Sequence, residues 1–254
     1  MQINVTSYNI HRCVGRDGLQ DPERIAEVIR ETAPSVVGLQ EVDSYFQKPA
    51  RRHQLDYIAR ATGLQGIAGP VTLRHDGHYG NALLTSAPVL EVRRHDITVP
   101  GREPRGVLEV EVQMEDRELR LIVAHLGLRP AERRIQVARL LGILDACAAT
   151  PTVLMGDFNE WLWWGRPLRW LGRRMGPPYR LRTFPSGLPV FALDKVWAAP
   201  VEMLTSVQVH NSRLARIASD HLPIRAVCRL PRYGAHPLTT GVDESRIHSL
   251  QEPA

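Results

Sequence analysis

Cysteine is scarce in this chain. Cys13, Cys147 and Cys228 are the only three in 254 residues, odd in number and without a CxxC pair. That excludes a disulfide framework or zinc-thiolate cluster and points to a reducing compartment. Long apolar runs are missing too, since nothing approaches the ~18 residues that a transmembrane helix needs. The opening "MQINVTSYNIH" alternates from its third position as a strand does. It leaves no room for a basic and then apolar leader, so a cytosolic setting is expected. Lysine is nearly absent, with Lys48 and Lys195 alone, and arginine carries the formal charge of +5 (32 basic minus 27 acidic residues) and the pI near 9.4. Such a balance suits polyanionic partners, nucleic acid or acidic lipid headgroups, but arginine bias also arises from genome composition.

What is present is a mixture of strand and helix patterns without a repeating period. "INVTSYNI", "SVVGLQEV", "NALLTS", "VLEVEVQM", "LRLIVAHL", "TVLMGDF", "MLTSVQVH" and "LPIRAVCRL" read as strands. "DPERIAEVIRETA" reads as a helix with Asp21 as N-cap and Pro22 at its first position. "PAERRIQVARLLGILDACAA" reads as a second, with Ile135, Ala138, Leu141, Leu144 and Ala148 on its apolar face. "VLEVEVQMEDRELRLIVAHL" predicts a hairpin turning at "MEDRE". Part of the sheet is then antiparallel, and mixed sheets covered by helices are expected rather than a purely parallel one. No linker interrupts residues 1–230, which are expected to form one domain. The polar, aperiodic 231–254 predicts a loose tail.

The chemistry gathers beside the apolar runs. "SYNIH" closes a strand with Asn9 and His11, "GLQEVD" with Gln40 and Glu41, and "VAHL" with His125. "VLMGDFNEW" delivers Asp157 and Asn159 after three apolar residues and a glycine, "ALDKVW" supplies Asp194, and "ASDHLP" supplies Asp220 and His221 just before the last strand. One such residue is usually a turn former or helix cap. Six segments doing the same thing are hard to explain as separate turns and caps. Hard divalent ions take oxygen ligands, which Glu41, Asp220 and the Asn9 amide would suit. Phosphoester hydrolysis also needs a positioned water, an acid for the leaving oxygen and donors for the developing charge.

In this order the series resembles the endonuclease/exonuclease/phosphatase superfamily, the deoxyribonuclease-like fold of abasic-site endonucleases, inositol-polyphosphate phosphatases and neutral sphingomyelinases. "GDFN" and "SDHLP" are its most specific elements. The resemblance implies an α/β fold, a four-layer α/β/β/α sandwich with two mixed β-sheets face to face. It also implies a metal, Mg2+ or Mn2+, held by Asn9 and Glu41 with Asp220 as a further ligand. By the same likeness Asp157 and Asn159 orient water and phosphate, Asp194 and His221 form a carboxylate–imidazole pair, and His125 is a second histidine. Asp194 would fix the tautomer of His221 and favour its charged form, and either Asp157 or His221 can serve as the base.

Around this core, "PGREPRGVLEV" offers Arg102 and Arg105, of which one matches a phosphate-contacting arginine of the deoxyribonuclease branch; the alternative is two solvated loop arginines. Asn81 in "HYGNALLTS" resembles a substrate-contacting amide or else forms a turn, and His11 is a further substrate-binding candidate. "EWLWWGRPLRWLGRRMGPPYRLR" interleaves Trp161, Trp163, Trp164 and Trp170 with six arginines. Aromatics among arginines stack unpaired bases or sit at an anionic bilayer surface; the alternative is an amphipathic helix with its tryptophans buried. A metal-dependent phosphodiesterase acting on nucleic acid is the leading expectation. A phospholipid or small-metabolite phosphodiesterase or phosphatase comes second, and a non-catalytic binding protein third, since no residue of the series is missing.

Overall fold

A computed structural model describes residues 1–46, 53–146 and 149–230. Lys48, Cys147, Ala148 and the expected tail at 231–254 lie outside the described residues.

Two parallel units dominate. In the first, β1 (Gln2–Asn9) leads through helix α1 (Pro22–Glu31) into β2 (Val36–Tyr45), which pairs parallel to it with Asn9 opposite Gln40. In the second, β7 (Arg117–His125) leads through α3 (Pro130–Ala146) into β8 (Thr152–Asp157), with His125 opposite Asp157. A helical crossover between parallel neighbours brings the C-terminal ends of both strands of each pair to the same end of their sheet. α1 forms where its cap dictates: Asp21 accepts the Glu23 amide at 3.0 Å and Pro22 opens the helix.

Antiparallel neighbours complete the sheets. The first contains α2 (Gln54–Thr62), β3 (Gln65–Arg74) and β4 (Gly77–Thr85) along its path and ends with β10 (Leu204–Val209), α5 (Ala215–Ala218) and β11 (Ile224–Arg229); its strand order is β10-β11-β1-β2-β4-β3. The second adds β5 (Val89–Asp96), β6 (Gly106–Met114), α4 (Arg166–Met175) and β9 (Asp194–Ala199), in the order β5-β6-β7-β8-β9. β6 and β7 form the expected hairpin, with Met114 opposite Arg117 across Glu115 and Asp116.

Three apolar layers hold the four-layer α/β/β/α sandwich. Val5, Leu83, Val110, Val123, Met155 and Ala226 fill the space between the sheets. Ile25, Ile29, Leu39 and Ile58 join α1 and α2 to the first sheet, and Val137, Leu140, Leu154, Leu171 and Trp197 join α3 and α4 to the second. Each fully buried aliphatic side chain here stabilises the fold by about 1.5–3 kcal/mol relative to exposure.

The face of α3 differs from expectation. Ile135 and Ala138 face solvent, and the buried side presents Glu132, Arg133, Gln136, Val137, Leu140 and Leu144. The displaced stripe has a polar cause. Arg133 pairs with Glu160 at 3.1 Å, and Gln136 accepts the Gly127 amide at 2.8 Å, so two polar side chains belong to the packed face.

Gly156 is fixed by close approach. Its φ is +148° and a Cβ there would lie 1.8 Å from the carbonyl oxygen of Ala124 on β7. Gly156→Ala is expected to lower stability by about 2–3 kcal/mol, measured by denaturant unfolding; a change within about 0.5 kcal/mol, typical of a neutral surface site, would show that the strand pair can part there.

Candidate active site

The topology explains why residues distant in sequence meet. The C-terminal ends of β1, β7 and β8 carry Asn9, His125 and Asp157. β9 runs antiparallel to β8 and begins with Asp194 opposite Asp157, while β11 runs antiparallel to β1, so Asp220 and His221 precede its start at the same edge. Asn9 then bridges the two sheets, donating through Nδ2 to Asp157 Oδ2 at 3.0 Å and to Glu41 Oε1 at 3.2 Å.

Asp157 is the hub. Its Oδ1 accepts the backbone amide of Asn159 at 2.9 Å, and its Oδ2 lies 3.6 Å from Nε2 of both His125 and His221. Those two separations exceed hydrogen-bond range, so both rings act on Oδ2 electrostatically without using up its lone pairs. Behind His221, Nδ1 donates to Asp194 Oδ2 at 2.8 Å, and that oxygen also accepts the Thr183 hydroxyl at 2.5 Å. Phe184 packs on the His221 ring with centroids 4.8 Å apart.

The surroundings push the two histidines in opposite directions. Burial works against the His221 cation, but Asp194 and Asp157 with the hydrogen bond to Asp194, and then Asp220, outweigh it and push its pKa up to about 10. Burial pushes His125 down to about 3, with Arg105 and His221 adding to the effect against Asp157. Its tautomer follows from Asn159, whose amide is oriented by donating to the Leu126 carbonyl at 2.9 Å and places Nδ2 3.1 Å from His125 Nε2. Nε2 is thus the acceptor and the ring proton sits on Nδ1.

Glu41 was expected at a strand end. It lies inside β2 instead, at φ +60° in a bulge: Leu39 opposes Ala82 and Val42 opposes Gly80, so Asn81 alone faces Gln40 and Glu41. A bulge of this kind re-aims one side chain without ending the strand. It turns the Glu41 carboxylate to Asn9, while Gln40 is fully buried with both side-chain polar atoms unpartnered among the described residues.

Residues 6–221 match the Endonuclease/Exonuclease/phosphatase family. The chain belongs to this family. Its members are phosphoester hydrolases. YbhP of Escherichia coli strain K12 is 28% identical over 227 residues, covering 81% of this chain and 87% of YbhP. The fold is shared with an endonuclease/exonuclease/phosphatase from Beutenbergia cavernae, at a TM-score of 0.73 and 23% identity over 90% of this chain and 72% of that one. It is shared also with the human nocturnin catalytic domain, solved with a bound sulfate anion, at 0.66 and 18% over 91% and 94%.

Two sets of donors within this family fold could hold a cation. Asp157, Asp194 and His221 bring ligand atoms within 4.8 Å of one another, all buried. In that set His221 Nδ1 and Asp194 Oδ2 bond each other, which leaves His221 Nε2 and the unpartnered Asp194 Oδ1 as its donors beside Asp157. The better fit is where the Glu41 and Asp157 carboxylates converge on the Asn9 amide, since two anionic oxygens there share one neutral donor. Asp220 borders this oxygen-rich corner: Ser219 donates to the Asn9 carbonyl at 2.8 Å and lies 3.3 Å from Asp220 Oδ1. His11 bonds Asn9 Oδ1 through its backbone amide at 3.1 Å, and its Nδ1 is 3.8 Å from Asp220 Oδ1.

The rim candidates divide. Arg102 is exposed in the loop before β6, whereas Arg105 is buried, bonds Glu103 at 2.9 Å and acts electrostatically on His125. Asn81 lies within β4 rather than in a turn. Its amide crosses between sheets to the Gly106 carbonyl at 2.9 Å. Tyr79, between His78 and Asn81 in sequence, was not singled out, yet its phenol is buried with a pKa raised first by that burial and then by Glu41. Arg12 lies over its ring at 5.1 Å. Lys195 was also missed, a buried amine lowered by burial to about 8 beside Asp194, Asp157 and Glu160.

Trp161, Trp163 and Trp164 are exposed, so burial of the whole tryptophan set is excluded. Trp170, on α4, alone among the four packs partly against the outer core.

Proposed function

We propose that the chain is a divalent-metal-dependent phosphodiesterase that works by in-line attack of an activated water. The observation that carries this reading is Asp157, one carboxylate oxygen set 3.6 Å from both His125 and His221 and joined through Asn9 to Glu41 Oε1. Glu41 would hold Mg2+ or Mn2+ with Asp220 as a further ligand, and Asn9 would join them through its side-chain oxygen, which here accepts the His11 backbone amide. When bound, such an ion offsets phosphate charge and makes a bound water more acidic.

The remaining roles belong to the chain. His221, whose pKa its carboxylate neighbours push up to about 10, is placed to donate to a phosphate oxygen. Asp157 is then the base, with Oδ2 open to the attacking water. Asn159 fixes Asp157 through its amide and His125 through Nδ2, and Arg105 adds positive charge on the His125 side. Arg102, Asn81 and His11 are rim residues for substrate.

Nucleic acid is the first substrate class for this reading, supported by the net charge of +5 and by Arg105 beside His125. A phospholipid phosphodiester is the second, favoured by the exposed tryptophans. A cytosolic setting goes with both. No helix among the described residues is long and apolar enough to cross a membrane. The test is a hydrolysis panel of DNA, RNA, phospholipids, inositol phosphates and a chromogenic diester with and without chelator. Chelation is expected to cost about 10²-fold or more, restored by Mg2+ or Mn2+; turnover insensitive to chelator would overturn the metal, and no turnover on any member would overturn the enzyme.

A further inference from the structure

One residue beyond Asn159, after the buried Glu160, the chain comes to the surface. Trp161, Leu162, Trp163 and Trp164 are 41%, 49%, 54% and 53% exposed, four consecutive large apolar side chains turned to solvent. Scattered exposed hydrophobics are ordinary, whereas a contiguous patch marks an interaction surface. The patch is continuous because two cavities flank the run and share Glu160 and Trp161 in their walls. One, of about 320 Å3, is lined by Trp163, Arg180, Arg182 and Phe191 with Lys195. The other, of about 720 Å3, is lined by Leu162, Trp164, Arg134, Arg166 and Arg169.

The charge is one-sided. Glu160 is the sole acid among the residues lining the two cavities, and it is bound to Arg133. Ring contacts also tie the patch to the catalytic edge: Trp161 meets Phe184 at 5.9 Å and Phe191 at 4.7 Å, and Phe184 meets His221 at 4.8 Å. A surface held against the tryptophans would therefore lie next to the mouth of the site.

We propose that this patch docks the protein on an anionic lipid bilayer, with Leu162, Trp163 and Trp164 entering the headgroup boundary and the surrounding arginines taking lipid phosphates. It deepens the phospholipid arm of the function above and, for the substrate alone, rests on that reading. The observations favour a bilayer over unpaired bases. Stacking needs an open aromatic face, but Arg180 lies 3.5 Å over the Trp163 ring, and Trp163 meets Trp164 edge-on, as Trp161 meets Phe191. Exposed Leu162 and Val190 offer nothing to a base, while a bilayer boundary accepts indole edges, aliphatic tips and arginine together.

The test is co-sedimentation of the full chain with vesicles of phosphatidylcholine alone or mixed with phosphatidylglycerol, beside a single-stranded oligonucleotide binding assay. The wild type is expected to bind the anionic vesicles, more weakly as salt rises, and to ignore the neutral ones. Trp163→Ala with Trp164→Ala should weaken vesicle binding by about tenfold or more and leave the thermal melt and turnover of a soluble chromogenic diester unchanged. Leu162→Glu provides a second test by placing a charge where the bilayer would be. Equal binding to both vesicle types, or anionic binding indifferent to all three substitutions, would overturn the proposal. So would oligonucleotide binding lost with the tryptophans in a protein that ignores vesicles. Tryptophan-dependent vesicle binding by a protein that cleaves no phosphodiester would uphold the docking surface and refute the hydrolase.

Discussion

Asp157→Asn is expected to lower turnover by about 10³-fold or more at saturating metal, with the fold intact. Asparagine keeps the shape and an oxygen able to accept the Asn159 amide at the Oδ1 position, so the GDFN turn survives. What it removes is the negative charge that faces both His125 and His221 at 3.6 Å, and with it the anionic acceptor of the Asn9 amide that is assigned here as the base. His221 cannot substitute while it carries its proton, and His125, held neutral, has Nε2 turned toward Asn159. Loss of an interaction made only in the transition state lowers kcat and kcat/KM together. Steady-state kinetics on a chromogenic diester, with a thermal melt as the fold control, read this directly. Retention of more than about a tenth of wild-type turnover, far short of the usual loss for a catalytic group, would remove Asp157 from the role of base.

Much of this arrangement is legible in residue order alone, because strand ends in a two-unit α/β fold have few places to go. Asn9, His125, Asp157 and Asp194 sit at the termini that their apolar runs imply, and Asp220 and His221 precede the last strand as read. What escapes the sequence has a common physical character. β3 carries "QGIAGPVTLR", whose glycines and proline argue against a strand, but it is the edge of its sheet, where proline is tolerated. β5, "VLEVRRHD", is the other sheet's edge, and its charged half hides the alternation. The Glu41 bulge has no periodic signature at all, since one extra residue looks like continued strand. Arg133 and Gln136 conceal the buried face of α3 because polar residues satisfied by specific partners read as solvent-facing. Tyr79 and Lys195 escape for the opposite reason: each lies within a strand and reads as packing.

Asp194→Asn and His221→Ala should be strongly non-additive. His221→Ala is expected to cost about 10³-fold in turnover and Asp194→Asn about 10²-fold, and the double variant should fall within about threefold of His221→Ala alone, because groups acting as one unit do not multiply their losses. The geometry makes Asp194 a positioning residue. It is fully buried, its Oδ2 is committed to His221 Nδ1 and to the Thr183 hydroxyl, and it influences the phosphate only through the ring. A readout beyond rate distinguishes this from a structural role. Burial alone would lower the His221 pKa, and Asp194 is the foremost of the charges that raise it to about 10. Because the raised value keeps the ring charged up to that pH, activity that needs the imidazolium persists as pH rises and fails on the alkaline side; neutralising Asp194 moves that alkaline limb to lower pH. Its expected signature is therefore a shifted limb in Asp194→Asn and no such limb in His221→Ala. Losses that multiply, with an unshifted profile, would mean instead that Asp194 holds the start of β9 and does nothing for the imidazole.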